Sequence, residues 1–254
     1  MRALDLGVPK PAAAILVDEQ FGAAIHEQAR AAGIRRILTI EKSGQDEFDF
    51  QYGDRFGEHI ERLQPEFVKV LVRYNTGGDQ AMNERQAERL RTASDFCRRS
   101  GFKFLFELLV PATAQQLADV GSDPQRYERE TRWKFMREAI AQLQVTGVEP
   151  LIWKIEGLED LEQMRAVCDQ TRADGRSQVG VVVLGRGESE AKVRVWLSTA
   201  AKIPGVVGFA VGRTVFKDAL MRLRSGELSR ADAVATIAAH YKSFVDLFAQ
   251  ARQV

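Results

Sequence analysis

The sequence predicts a TIM-type (βα) barrel, because short apolar runs alternate with longer amphipathic segments from residue 13 to the C-terminus. This order is typical of parallel strands joined by helical crossovers. Gly33, Gly101, Gly147 and Gly175 lie where predicted helices end, as expected of C-terminal caps. No proline- or serine-rich linker divides the pattern, so we predict a single domain over residues 1–254.

The individual elements follow from the same alternation. Seven strands are predicted, at Ala13–Val17, Arg36–Ile40, Phe67–Val72, Phe104–Val110, Leu151–Ile155, Val179–Leu184 and Val207–Val211. Helices are predicted at Gly22–Ala32, Gly53–Leu63, Asn83–Ser100, Glu130–Gln144, Leu158–Ala173, Glu188–Lys202, Thr214–Ser225 and Arg230–Ala251. A closed barrel of this type has eight strands, so the count is one short.

Composition narrows the class of protein. With 45% apolar and 28% charged residues and a net charge of +1, the chain is expected to be a soluble protein that binds neither nucleic acid nor membranes. Cys97 and Cys168 are expected to be reduced thiols of a cytoplasmic protein. His26, His59 and His240 are scattered and lack the spacing of zinc ligands. We therefore expect no metal and no other cofactor.

Charged residues lie on the inward face of three consecutive predicted strands. Because side chains alternate across a strand, Lys69, Arg73, Glu107, Lys154 and Glu156 point away from the covering helices. In a barrel that face is the interior, where charges are costly unless they are paired or used. The pattern indicates either an active site near the carboxyl ends of the strands or a structural ion-pair network, and we favour the active site.

This arrangement suggests chemistry at a lysine. Lys154, crowded by Lys69 and Arg73 in a mostly apolar interior, is expected to have a lowered pKa. It would then be a neutral amine that attacks a carbonyl, with Glu107 or Glu156 moving protons.

Two glycine-containing turns follow the last two predicted strands. The first turn contains Gly185, Arg186 and Gly187, and the second contains Gly212 and Arg213. Open backbone N–H groups, helix N-termini and arginines favour a phosphate site at this edge of a barrel. The alternative is that the glycines only satisfy the geometry of ordinary turns.

Two other positions are candidates for substrate binding. Asp18 continues the face of Leu16 at the end of the first strand. Lys42 lies in a long polar loop that either covers a substrate or is merely solvated, and alternation does not decide whether Glu41 or Lys42 faces inward.

Several segments resemble the class I aldolases that include tagatose-bisphosphate aldolase. They resemble more closely a family of uncharacterised domains often fused to deoxy-keto-gluconokinase in inositol catabolism. The matching segments run in order at Ile15–Gly22, Glu41–Gly44, Val68–Asn75, Phe106–Pro111, Trp153–Gly157, Leu184–Gly187 and Gly208–Thr214.

The resemblance implies a lyase that cleaves 6-phospho-5-dehydro-2-deoxygluconate to dihydroxyacetone phosphate and malonate semialdehyde. It implies that Lys154 forms a Schiff base, that Glu107 transfers protons and that Lys69 assists. It also implies that Arg186 and Arg213 hold the phosphate of the sugar phosphate. Alternatives are an aldolase for another ketose phosphate, such as a tagatose or sulfo-sugar phosphate, and a non-catalytic phosphosugar-binding domain.

One part of the family pattern has no counterpart. The families begin with a strand that ends in an Asp-His-Arg or Asp-Gln-Arg motif, and residues 1–11 look like the end of the helix after it. Seven strands cannot close as eight do, so the first and last strands should face each other across a gap one strand wide. Because bare strand edges invite pairing, we expect the chain either to be poorly soluble or to bury the gap in a homo-oligomer, and to be weakly active at best.

Overall fold

A seven-stranded parallel sheet forms the centre of the protein, in a computed structural model that describes residues 1–253. The strands follow sequence order across the sheet. They are β1 (Ala14–Val17), β2 (Arg35–Thr39), β3 (Phe67–Arg73), β4 (Lys103–Leu109), β5 (Ile152–Glu156), β6 (Gly180–Leu184) and β7 (Val206–Ala210). All seven predicted strands are present, with ends that differ by one residue, and the predicted barrel-type architecture is confirmed.

Helices connect these strands. They are α1 (Arg2–Asp5), α2 (Glu19–Ala31), α3 (Phe56–Leu63), α4 (Gln80–Ser100), α5 (Ala114–Asp119), α6 (Pro124–Arg126), α7 (Arg132–Val145), α8 (Leu161–Thr171), α9 (Glu190–Ala201), α10 (Arg213–Arg224) and α11 (Arg230–Ala251). Several starts are fixed by side-chain caps, since Asp18, Asp79, Asp160 and Ser229 each accept a hydrogen bond from a first-turn N–H. No helix within residues 1–253 is long and apolar enough to cross a membrane.

The segment between β4 and α7 was predicted as a helix from residue 130 onward, but it is more elaborate. It contains α5, α6 and a π-helical turn at Tyr127–Thr131. Thr113 and Gln116 form a reciprocal capping box at the start of α5. A π-helical turn inside or next to an α-helix often occurs at a functional site. This segment brings several charged side chains to the carboxyl ends of β5 and β6.

The apolar core lies between the outward face of the central strands and the helices. Val68, Val70, Phe106, Trp153 and Ile155 on this face are fully buried. Burial of this extent sets the register, because a shift of one residue would place the same side chains in the barrel interior. The charged residues of β3, β4 and β5 are thereby directed inward.

The two edge strands differ from the centre. β1 and β7 end the strand order, and no pairing joins them within the described residues, as the count of seven predicted. Residues 15–17 and 208–210 are half-buried, and Val207 is 52% exposed. α1 contacts α11, so the first residues lie against the last helix. The predicted width of the gap and the predicted oligomer stay predictions.

A short hairpin follows β2 and was not predicted. Glu41 forms an antiparallel bridge with Phe50, and Lys42 N–H donates to the Asp49 carbonyl. The rings of Phe48 and Phe50 are buried in the core. This packing fixes the hairpin against the body of the protein and, with it, the position of Glu41.

Candidate active site

Four charged side chains form a chain of contacts inside the sheet, which we call the inner cluster: Glu41, Lys69, Glu107 and Lys154. Lys69 Nζ lies 2.6 Å from Glu41 Oε1 and 2.8 Å from Glu107 Oε2. Lys154 Nζ lies 2.9 Å from Glu107 Oε1. Each of these side chains is between 4% and 11% exposed. The two lysines therefore share one carboxylate, and a second carboxylate lies at the far end of the chain.

Strand register explains why these residues meet. Glu107 on β4 is the direct partner of Lys154 on β5, and both side chains point to the same side of the sheet. Lys69 on β3 is the direct partner of Thr39 on β2. Glu41 lies two residues beyond Thr39, so it continues the inward face of β2. Three successive strands and the segment that follows β2 thus contribute to one cluster.

Burial and neighbouring charges shift the pKa values within the inner cluster in different directions. Burial, aided by the charge of Lys69, lowers the pKa of Lys154 despite the attraction of Glu107. Burial also acts to lower the pKa of Lys69, but Glu41 and Glu107 on either side raise it overall. The two lysines therefore differ in protonation. Lys69 stays a cation, and Lys154 loses its proton more easily and becomes a free amine.

The pKa values of the two carboxyl groups in the inner cluster are also shifted in opposite directions. Burial acts to raise the pKa of Glu107, but Lys69 and Lys154 together lower it. Burial raises the pKa of Glu41, and its single cationic neighbour, Lys69, does not cancel the effect. Pairs of groups whose environments push their pKa values apart are typical of acid–base catalysis. The inner cluster provides an ionised carboxylate beside Lys154 and a more basic one beside Lys69.

A second set of charges lies next to the inner cluster, and we call it the outer network: Arg132, Glu156, Arg186, Glu128 and Lys192. Glu156 Oε1 lies 2.9 Å from Arg132 Nη1 and 3.0 Å from Arg186 Nε, while its Oε2 accepts from the Val110 N–H at 3.1 Å. Glu128 lies 2.7 Å from both Arg186 and Lys192. Arg132 and Glu156 are almost fully buried, and each satisfies the charge of the other.

The predicted phosphate-binding turns are adjacent. Arg213 Nη2 donates to the Arg186 carbonyl at 3.1 Å, and a Cβ at Gly187 would lie 2.8 Å from the Arg213 guanidinium. Gly187 has a left-handed backbone (φ 79°) that favours glycine, and a larger side chain there would displace the Arg213 guanidinium. α10 begins after Gly212 without a side-chain cap, which leaves its first N–H groups available to an anion. Gly185 is buried beneath the same turn.

The structure treats the two arginines differently. Arg186 has a left-handed backbone (φ 52°), and its side chain is bound by Glu128 and Glu156. Arg213 is exposed, and no carboxylate lies within 4 Å of it among the described residues. Arg213 is therefore the cation of the two turns that is free to meet an anionic ligand.

Three other predicted site residues lie apart from both sets. Asp18 caps α2 by accepting from the Phe21 N–H at 2.7 Å. Lys42 is half exposed and pairs with Asp49 on the outer side of the hairpin, because Glu41 takes the inward position. Arg73 Nη1 donates to the Gln45 carbonyl at 2.7 Å and so ties the hairpin to β3.

Sequence reasoning missed four residues of the inner cluster and the outer network. Glu41 shares the parity of Ile37 and Thr39, but it lies beyond the predicted strand Arg36–Ile40, so alternation alone did not decide between Glu41 and Lys42. Arg132 and Lys192 lie on helices and Glu128 lies on a π-helical turn, where no alternation rule identifies the inward residue. Within residues 1–253, no group of three histidine, cysteine or acidic side chains is arranged to hold a metal ion.

Comparison with protein families identifies the chain. A family model described as "Uncharacterized protein conserved in bacteria (DUF2090)" matches residues 3–252. The chain belongs to this family. No sequence among the curated proteins matches it. The family membership covers both the inner cluster and the outer network, although the family description assigns no activity.

Several solved structures with a similar fold are named as aldolases. A fructose-bisphosphate aldolase from Plasmodium falciparum aligns with a TM-score of 0.62 at 14% identity, over 94% of this chain and 77% of the other. A Schiff-base-forming fructose-1,6-bisphosphate aldolase aligns with a TM-score of 0.54 at 16% identity, over 91% and 93% of the two chains. The YdjI aldolase from Escherichia coli K12 gives 0.58 at 13%, over 97% and 86%. These similarities establish that the DUF2090 chain has an aldolase-type TIM fold.

Proposed function

We propose that this protein is a class I aldolase that forms an imine on Lys154. The observation that carries the proposal is a buried primary amine with a lowered pKa, 2.9 Å from the carboxylate of Glu107. A neutral amine in a desolvated site is the form that attacks a carbonyl carbon. Its place on a central strand, next to fixed charges of both signs, suits a reaction that creates and discharges a cation.

The residues allow each step of the reaction to be assigned. Lys154 adds to the ketone of the substrate, and Glu107 moves the protons that allow water to leave the carbinolamine. The protonated imine then accepts the electron pair of the breaking carbon–carbon bond, while a carboxylate takes the proton of the hydroxyl on the departing carbon. The aldehyde leaves, and the carboxylate that took the hydroxyl proton releases it to solvent. Glu107 takes a proton from solvent and gives it to the enamine carbon, and hydrolysis then frees Lys154. Lys69 remains charged throughout and favours the ionised form of Glu107 between its proton transfers.

The phosphate of the substrate is assigned to Arg213 and the start of α10. An exposed guanidinium beside uncapped N–H groups of a 12-residue helix suits a phosphate dianion. Arg186 lies next to this position and is directed by Glu156, so it reaches the anion only if it leaves one of its carboxylates.

For the substrate, we propose 6-phospho-5-dehydro-2-deoxygluconate, cleaved between C3 and C4 to dihydroxyacetone phosphate and malonate semialdehyde. The support is the sequence resemblance to domains of inositol catabolism. A second candidate is a fructose- or tagatose-type ketose bisphosphate, favoured by the structural similarity to fructose-bisphosphate aldolases. Both candidates use the same amine and the same phosphate site.

Imine trapping tests the proposal directly. The purified protein is incubated with dihydroxyacetone phosphate and sodium borohydride, and the modified peptide is identified by mass spectrometry. We expect one adduct, on the peptide that contains Lys154. Lys154→Arg should abolish the adduct because a guanidinium stays protonated, whereas Lys69→Arg should retain it. An adduct on Lys69, or none in a folded protein, would contradict the assignment.

The substrate is tested separately. Release of dihydroxyacetone phosphate is measured with 6-phospho-5-dehydro-2-deoxygluconate, fructose 1,6-bisphosphate and tagatose 1,6-bisphosphate at equal concentrations. We expect the first to give the highest kcat/KM. If a bisphosphate is preferred, the imine chemistry stands and the substrate assignment changes. If the imine forms but none is cleaved, the protein binds sugar phosphates without acting as an aldolase on them.

A further inference from the structure

One carboxylate oxygen of the inner cluster has no partner. Glu41 Oε1 accepts from Lys69 Nζ, but Glu41 Oε2 is buried and makes no hydrogen bond to any described residue. Buried carboxylate oxygens are normally satisfied, and an unpaired one costs free energy comparable to that of a lost hydrogen bond. Such an exception calls for an explanation, and a hydroxyl group of a bound substrate would supply the missing donor.

Several contacts fix the position of the Glu41 carboxyl group. The Glu41 backbone is bridged to Phe50, and the hairpin is tied to β3 through the bond from Arg73 to the Gln45 carbonyl. Gln86 further accepts from the Phe48 N–H at 2.8 Å inside the core. A loop held at this many points keeps its carboxyl group in place. Side chains that are locked by surrounding packing are characteristic of preorganised sites.

The other two inward carboxylates are fully engaged. Glu107 uses one oxygen for Lys69 and the other for Lys154. Glu156 uses one oxygen for two arginines and the other for the Val110 N–H. Among the inward-facing carboxylates of the described strands and hairpin, only Glu41 combines a cationic partner with a free oxygen.

We propose that Glu41 is the carboxyl group that exchanges a proton with the substrate hydroxyl when the carbon–carbon bond breaks. This inference rests on the proposed function and divides its proton transfers between two residues. Glu107 serves the nitrogen of Lys154 and the enamine carbon, since it contacts that amine. Glu41 lies on the opposite side of Lys69 from Glu107, so we assign it to the part of the substrate that leaves.

The step balances without any further reactant. In cleavage, Glu41 Oε2 takes the hydroxyl proton, and the oxygen forms the carbonyl of the aldehyde. The electron pair of the broken carbon–carbon bond becomes the enamine, which neutralises the iminium nitrogen of Lys154. In condensation, protonated Glu41 returns the proton to the new alkoxide. Burial raises the pKa of Glu41, which makes its carboxylate a stronger base than an exposed glutamate.

Two half-reactions separate Glu41 from Glu107. Exchange of the carbon-bound hydrogen of dihydroxyacetone phosphate with deuterium from solvent requires the imine and enamine only. Cleavage of the full ketose phosphate also requires transfer of the hydroxyl proton. We would measure both, by NMR and by aldehyde release, in the wild-type protein and in Glu41→Gln. Glu47→Gln is the matched control, since it makes the same change in the same hairpin where the carboxylate pairs with Arg85 and Arg89.

We expect Glu41→Gln to lower kcat for cleavage by about 100-fold or more, while exchange and borohydride trapping stay within about threefold of wild type. Glu47→Gln should leave both reactions unchanged. Cleavage by Glu41→Gln within about threefold of wild type overturns the inference. Parallel loss of cleavage and exchange also overturns it, because Glu41 would then act by holding Lys69. Absence of exchange and trapping in the wild-type protein instead refutes the aldolase function itself.

A second pair of variants covers the case in which Glu41→Gln does not fold. Glu41→Asp keeps a carboxyl on a shorter stem, and Glu41→Asn is its amide equivalent of nearly the same shape. Folding of both is checked by circular dichroism. The inference requires the aspartate variant to cleave at least about tenfold faster than the asparagine variant, at similar rates of exchange. Equal cleavage by the two overturns it.

Discussion

The inner cluster and the outer network contain similar numbers of charges, yet they are built for different tasks. The inner cluster uses lysines, whose pKa values move with their surroundings, and the two of them are shifted in opposite directions. The outer network relies on arginines, which stay charged, and both oxygens of its central carboxylate, Glu156, are occupied. A side chain whose protonation can change suits proton transfer, and a permanently charged side chain suits the positioning of other groups.

This difference also changes how the sequence pattern is interpreted. Glu107 on β4 and Glu156 on β5 both face inward, and the sequence pattern made either a candidate for proton transfer. Glu107 contacts Lys154, whereas Glu156 is enclosed by Arg132 and Arg186. We therefore assign proton transfer to Glu107, and we propose that Glu156 holds Arg186 at the edge of the site.

The largest expected effect compares these two glutamates. Glu107→Gln should lower kcat by about 10²–10⁴-fold, because the proton carrier next to Lys154 is lost. Glu156→Gln should act mainly on KM, through the position of Arg186. Steady-state kinetics with 6-phospho-5-dehydro-2-deoxygluconate measures both. An equal loss of kcat in the two variants would mean that the inner and outer charges are one catalytic unit.

Removal of Arg132 tests the structural task of the outer network. Arg132→Met leaves the buried Glu156 without its buried partner, and the expected loss in the free energy of unfolding is about 3–5 kcal/mol. Arg129→Met on the preceding turn is the control, because Arg129 is exposed. Urea denaturation followed by circular dichroism gives both values. A change below about 1 kcal/mol for Arg132→Met would show that Arg186 alone satisfies Glu156.

The two turns proposed to bind phosphate provide the next test. Arg213→Ala should weaken phosphate binding by about 1.5–3 kcal/mol, the usual contribution of a hydrogen bond to a charged group. The readout is the inhibition constant of inorganic phosphate together with KM for the ketose phosphate. Lys217→Ala, one turn further along α10 and also exposed, should change neither. Unchanged binding in the Arg213 variant would move the anion site elsewhere.

How much of this could be predicted from the sequence depends on local periodicity. The strands were found because alternation fixes both their position and their inward face, and the same rule placed Lys69, Glu107 and Lys154 together. The alternation rule applies only to residues within a strand. Glu41 lies just beyond the last paired residue of β2, so its direction depended on a hairpin that only the packing of Phe48 and Phe50 defines.

The outer network was less predictable for another reason. Arg132 reaches Glu156 across a sequence separation of 24 residues, and it starts a helix whose inward face is set by the preceding π-helical turn. Helical periodicity identifies the apolar face of such a helix, but an arginine at its first turn is ordinarily solvated. Only the three-dimensional position of Glu156 makes Arg132 a buried residue.

The smallest expected effect is a change in stability that separates the two lysines of the inner cluster. The pKa of Lys154 is lowered in the folded protein from a reference value of 10.5, so burial of its charge opposes folding at neutral pH. Lys154→Met should therefore raise the melting temperature at pH 7, since each pKa unit is worth about 1.4 kcal/mol. The cost is fully present below the folded pKa and disappears as the pH approaches 10.5, so the advantage of the variant should shrink over that interval.

Lys69 should show the opposite behaviour. Its pKa is raised above the reference value of 10.5, so its charge contributes stability at every pH below 10.5 and loses it only as the pH rises through the folded pKa. Lys69→Met should lower the melting temperature at pH 7, because it also leaves Glu41 and Glu107 without their shared cation. Calorimetry of both variants between pH 7 and the alkaline limit of folding checks the pair. If both substitutions destabilise the protein equally, Lys154 is a structural cation like Lys69, and the amine required for imine formation is not prepared by the fold.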